Sequence, residues 1–257
     1  MPETKAKQTR LQVGTELNPI ARKKPVGIFM AAVALVGFAI ITYRLFFYVF
    51  EYDPKYYTVD YGNFNVLSYF TIQSNIFAYV YFLCAGLAIL GVKKARRFGF
   101  NGTVGALVTV YVLVAGLVYN AGFPLGMTPP LTWDTPAHAM NSFMQCYYHM
   151  FMPVVTVALW CFPFTNEKLG KKTALLAGVY PLAYSIFSMV RGPLMEPTYY
   201  PYPFYNPDFI WSTFAGDKPM NVVGAYGLIA VLLVFGIGVF IAVAALVVKI
   251  HNKRIKD

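Results

Sequence analysis

The chain has 257 residues, 58% of them hydrophobic and only 12% charged, with a mean hydropathy of +0.52. A soluble domain carries about 25% charged residues, so half that share, together with apolar runs of about 20 residues, excludes the soluble globular class and points to an integral membrane protein. The net charge of +10 does not point to nucleic acid, because the basic residues sit beside the apolar runs and form no stripe with stacking aromatics.

Residues 1–25 are polar and basic, and no small-residue cleavage site follows at the right distance, so the first apolar run reads as a retained helix rather than a removed signal. Residues 26–248 then hold six runs long enough to cross the hydrocarbon core as helices: 26–50, 66–92, 100–122, 141–162, 173–190 and 222–248. The fifth is the shortest and is interrupted by Pro181, which membrane helices tolerate when neighbours satisfy the freed carbonyl. Between the runs, segments 123–140 and 192–221 are long and rich in Pro and aromatics, and long structured loops tend to carry function. Residues 249–257 form a basic tail.

Charge orients these elements. Of the 21 Lys and Arg residues, 17 fall before the first span, after the second and fourth, or in the tail. The opposite loops hold only Lys55 and Lys218, with Arg191 at their edge, and seven acids including Glu51, Asp53, Asp60, Asp134 and Asp217. Positive residues stay inside, so the expected fold is an all-α integral membrane protein, a six-helix bundle with both termini cytosolic.

Polar side chains inside a span cost free energy and face the bundle interior or a cavity. With the helices alternating in direction, they gather in the outer half: Arg44, then Thr71, Gln73, Ser74 and Asn75, then Tyr119 and Asn120, then Asn141, Gln145 and His149, and finally Tyr184, Ser188 and Arg191. Asn141, Gln145 and His149 recur at every fourth position and form one polar line. At ~1.5 Å per residue, Thr71 lies roughly 8 Å deep and His149 roughly 12 Å, close enough in depth for the side chains to meet. Pro153 lacks the N–H that would bond the carbonyl of His149, so a kink with a free acceptor is expected beside the histidine.

Each residue also has a plainer role. A membrane Thr usually bonds the carbonyl four residues back, and a His often ties helices together. Arg44 and Arg191 are long enough to snorkel to headgroups. His138 reads as a surface group and His251, in the tail, as solvated. Cys84, Cys146 and Cys161 read as small apolar packing residues, with neither disulfide nor metal spacing. No metal and no cofactor are expected: one secure intramembrane histidine does not ligate a haem, and a zinc site would need a loop to fold in.

Three stretches carry a family resemblance. YFTIQSN at 69–75, YHMFMP at 148–153 and the Tyr-rich segment 179–204 ending in YPYPF together resemble the androgen-induced family of multi-span membrane proteins. Its animal members include threonine hydrolases of fatty acid esters of hydroxy fatty acids. The same stretches are still more similar to a prokaryotic membrane family related to it. The matches cover residues 64–206, in the same order. By this resemblance Thr71 is the nucleophile and His149 its general base. The residues beside them, Asn75, Gln145, Tyr184 and Asn120, are candidates to orient the imidazole or substrate, and Arg44 or Arg191 to hold a substrate carboxylate. The implied function is an intramembrane lipid ester hydrolase whose partners are membrane lipid and the bilayer. The alternative is a non-catalytic lipid or small-molecule binder or transporter using the same polar pocket.

Overall fold

The computed structural model describes residues 23–48, 62–124, 128–161 and 167–255. Most of the basic N-terminal segment, the acids and lysine of the 49–61 loop and Lys256, all used above to orient the chain, lie outside the described residues. Among the described residues every regular element is helical.

Helix α1 (Lys24–Phe46) starts with a proline in its first turn, where a missing N–H costs nothing. A 3-10 turn (Asn63–Ser68) leads into α2 (Phe70–Ile89), and a short helix, α3 (Arg96–Gly99), precedes α4 (Gly102–Gly122). Asn101 caps α4 by accepting from the Val104 N–H at 3.0 Å, a side-chain partner for a group the helix itself leaves unbonded. Thr135 does the same for α5 (Pro136–Cys146) through the His138 N–H. A π turn (Tyr147–Phe151) joins α5 to α6 (Met152–Trp160) without a break, and α7 (Lys171–Leu176) and α8 (Val179–Arg191) follow. The last two are α9 (Pro207–Ala215) and the 33-residue α10 (Val222–Arg254).

Five of the described helices are long and apolar enough to cross a membrane: α1, α2, α4, the α7–α8 pair and α10. Large apolar side chains such as Leu35, Val36, Leu117, Val118 and Val234 point outward along them. In water such surface would be a liability; in lipid it is the ordinary outer face of a bundle. The pattern is that of a membrane protein. The fifth run breaks at Ala177 and Gly178, where both N–H groups bond carbonyls three residues back. The break falls one turn before Pro181, whose ring excludes the carbonyl of Ala177 from a normal helical bond.

α4 is the most enclosed of the five and α10 the least, with 61% and 17% of their most apolar stretches buried. α1 packs along α2, α2 against α4, and α4 against α6 and α10. The α1–α2 approach is close because both faces are small: a side-chain carbon on Gly86 would stand 2.6 Å from the Gly27 carbonyl oxygen. Packing between small residues is a main source of helix association in lipid.

The tail corrects the reading of His251. α10 continues past residue 248, so His251 sits on its inward face at 1% exposure, stacked on Trp160 with Nε2 2.9 Å from the Glu167 carbonyl. Beside it, Asn252 bonds both the N–H and the carbonyl of Leu169 at 2.8 Å. At the other end, His138 is part-exposed beside Asp134 at 2.8 Å. The hydrogen bond from that histidine holds the Asp134 carboxyl below its ordinary range.

Candidate functional site

The first N–H groups of a helix have no partner within it, and the N-cap of α2, Tyr69, supplies none. Two distant tyrosines do. Tyr184 Oη accepts from the Phe70 N–H at 3.1 Å and donates to the Ser68 carbonyl at 2.7 Å. Tyr202 Oη, from the YPYPF segment, accepts from the Thr71 N–H at 3.4 Å, and the Thr71 hydroxyl meets the same phenol. Thr71 is therefore buried at the mouth of a helix whose polar groups are answered by α8 and the following loop. Burial pushes the Tyr202 hydroxyl above the usual phenol range. It is protonated at neutral pH, so while it accepts from Thr71 it keeps a proton of its own to donate and does not act as a base.

One turn along α2, Asn75 is fully buried. Its Nδ2 donates to the Thr71 carbonyl at 2.9 Å and to the Tyr148 carbonyl at 3.5 Å, and its Oδ1 accepts from Tyr79 at 3.4 Å. Asn75 thus ties the start of α2 to the π turn that carries His149, at a common level in the bundle.

The π turn follows from Pro153. With no N–H at 153, the Met152 N–H bonds the carbonyl of Tyr147, five residues back. The orphaned carbonyl of His149 is not left free: Asn120 Nδ2 donates to it at 3.0 Å and to the Gly116 carbonyl at 2.7 Å. The expected free acceptor is thus occupied, by a residue placed in the site for a different reason. The imidazole stacks on Tyr119, with ring centroids 3.6 Å apart and planes 8° from parallel. It also bonds the Ala115 carbonyl, while Nδ1 is buried without a partner. A carbonyl accepts only from an N–H, so that bond comes from Nε2, and Nδ1 of the neutral ring carries a bare lone pair.

The two arginines end on the 3-10 turn. Arg44 Nη1 donates to Asn63 Oδ1 at 3.0 Å and lies over the Tyr48 ring; Arg191 Nη2 donates to Asn65 Oδ1 at 3.1 Å and lies over Tyr199. Gln145 is half-buried one turn before His149. The fold gathers Thr71, Asn75, Tyr184 and Arg191 around the start of α2, and His149 and Asn120 around α4. Among the described residues no hydrogen bond joins the Thr71 hydroxyl to the imidazole.

No family model, curated protein or solved structure matches the chain. The family resemblance accordingly rests on the short motifs alone. Sequence reasoning missed Tyr202 and the pair Asn63 and Asn65. The signal for Tyr202 was available in YPYPF, where a polar-tipped aromatic sits between two prolines that fix its backbone. The asparagines gave none, because they precede the span and read as loop.

Gly116 is the close contact that seats the π turn, since a side-chain carbon there would stand 2.9 Å from the His149 carbonyl oxygen. Gly116→Val is expected to lose about 1–3 kcal/mol through overpacking. Thermal unfolding in detergent measures it, and an unchanged midpoint would show that the turn has slack.

Proposed function

We propose that the chain is a six-span membrane protein with both termini cytosolic, resident in a prokaryotic plasma membrane, and that it hydrolyses lipid esters in the outer half of its bundle. The helical rod Pro136–Trp160, with its polar first half, completes the six as the fourth span in chain order. Positions Asp134 and Asp217, mutated to cysteine, are expected to label from outside, and positions Lys94 and Lys171 only after permeabilisation; the reverse pattern would refute the orientation.

One observation carries the chemistry: a buried imidazole with a bare Nδ1, on a turn tied through Asn75 to the backbone of a buried threonine. Thr71 Oγ attacks the ester carbonyl carbon and its proton passes to His149 Nδ1. The carbon–oxygen bond to the alcohol then breaks, and the departing alkoxide takes that proton. Water, deprotonated by the same nitrogen, then adds to the acyl carbon; the carbon–Oγ bond breaks, Thr71 Oγ takes the proton back from the imidazole, and the free acid leaves. The hydroxyl and imidazole are brought within reach by substrate, as catalytic hydrogen bonds commonly tighten only in the complex. Tyr202 donates to the developing oxyanion, while Asn75 and Asn120 fix the two backbones and Tyr184 caps α2.

The second reading, a non-catalytic lipid or small-molecule binder or transporter, is favoured by a specific contact. The Thr71 hydroxyl is already engaged by Tyr202 and has no bond to His149. Turnover of medium-chain p-nitrophenyl esters by the purified protein tests the choice. Saturable hydrolysis is expected, and tight ester binding without turnover would leave the binder.

A further inference from the structure

We infer that Arg191 and Ser188 form a binding site for the oxyanion of an anionic lipid. Arg191 closes α8 half-buried, and a cation drawn partly out of water needs compensation. Its contacts, the Asn65 amide oxygen at 3.1 Å and the face of Tyr199, carry no formal negative charge, and its Nη1 is buried with no hydrogen-bond partner. Three residues back on the same helix face, Ser188 is 0% exposed, with its Oγ beside the Tyr184 hydroxyl but in no hydrogen bond of ordinary geometry. An unpartnered guanidinium N–H with a hydroxyl on the same face is a donor set that a carboxylate or phosphate oxygen accepts from.

The surroundings identify the carrier as a lipid. Phe187, Val190 and Leu194, on either side of the pair, are 53%, 59% and 76% exposed, so acyl chains lying on α8 bring their charged ends level with Arg191. The site rests on the membrane reading and not on ester hydrolysis; within the hydrolase reading it would anchor the charged end of a substrate.

The test is native mass spectrometry of the full-length protein in a non-ionic detergent, titrated with dioctanoyl phosphatidylglycerol, dioctanoyl phosphatidylcholine, octanoate and inorganic phosphate. Phosphatidylglycerol or octanoate is expected to bind at least about tenfold tighter than phosphatidylcholine. Whichever of the two binds more tightly assigns the oxyanion as phosphate or carboxylate. Arg191→Gln is expected to abolish the preference. Arg191→Lys should keep part of it, because the charge stays and the planar fork is lost. Ser188→Ala should weaken it about 3–10-fold. Equal binding of charged and zwitterionic lipid overturns the proposal, as does inorganic phosphate binding as tightly as lipid. If Arg191→Gln does not fold, wild-type preference in both Arg191→Lys and Ser188→Ala overturns it too. The readout is lipid binding and not ester turnover, so a failure of this site and a failure of the hydrolase reading are distinguishable outcomes.

Discussion

Thr71→Ala and His149→Ala are each expected to lower ester turnover by on the order of a thousandfold or more, and the double variant to be no slower than either single one. A nucleophile and its base serve one step, so once either is removed the other has nothing left to contribute. Thr71→Ser keeps the hydroxyl and is expected to retain measurable turnover. Each variant must still bind substrate, since His149 also stacks on Tyr119 and its loss opens space beside α4. Additive losses would mean that the two residues act separately. Full activity in Thr71→Ala would leave only the binder or transporter reading.

The largest structural effect is expected from Tyr184→Phe. The phenol is 4% exposed and answers two buried backbone groups, the Phe70 N–H and the Ser68 carbonyl. Phenylalanine keeps the ring but strands both, at about 1–3 kcal/mol for each unsatisfied group. The ring also packs edge-on against Phe70 and lies near Tyr202 and Tyr205, so the loss is polar and not one of volume. A fall in the detergent unfolding midpoint is expected, larger than in Tyr202→Phe, whose longer 3.4 Å bond serves a single N–H. Equal midpoints for Tyr184→Phe and the wild type would show that water takes over the start of α2.

The membrane class was legible because composition and run length fix it before any side chain is placed: α2 and α4 fall within the runs read from hydropathy, and α1 and α10 overlap theirs, beginning two residues early and ending six residues late respectively. The common level of residues 71–75 and 148–149 was also legible, since the rise of a helix is constant and Asn75 does meet the Tyr148 carbonyl. The direction of each side chain was not. A π turn adds one residue to a helical turn and rotates everything after it, so the line Asn141, Gln145, His149 does not continue as one straight polar face. His149 comes to rest on Tyr119 and Ala115 of α4. The partners of Arg44 and Arg191 were hidden for another reason. Asn63 and Asn65 lie outside the apolar runs, and only the 3-10 turn that follows α1 brings their amides to the two guanidiniums.

Covalent capture tests the nucleophile most directly. The folded protein, exposed in detergent to a fluorophosphonate bearing a long alkyl chain, is expected to gain a single adduct by intact mass. Peptide mapping should place it on Thr71, and it should be absent from Thr71→Ala and strongly slowed in His149→Ala. An adduct on another residue, or no adduct on protein that still binds lipid, would contradict a threonine hydrolase.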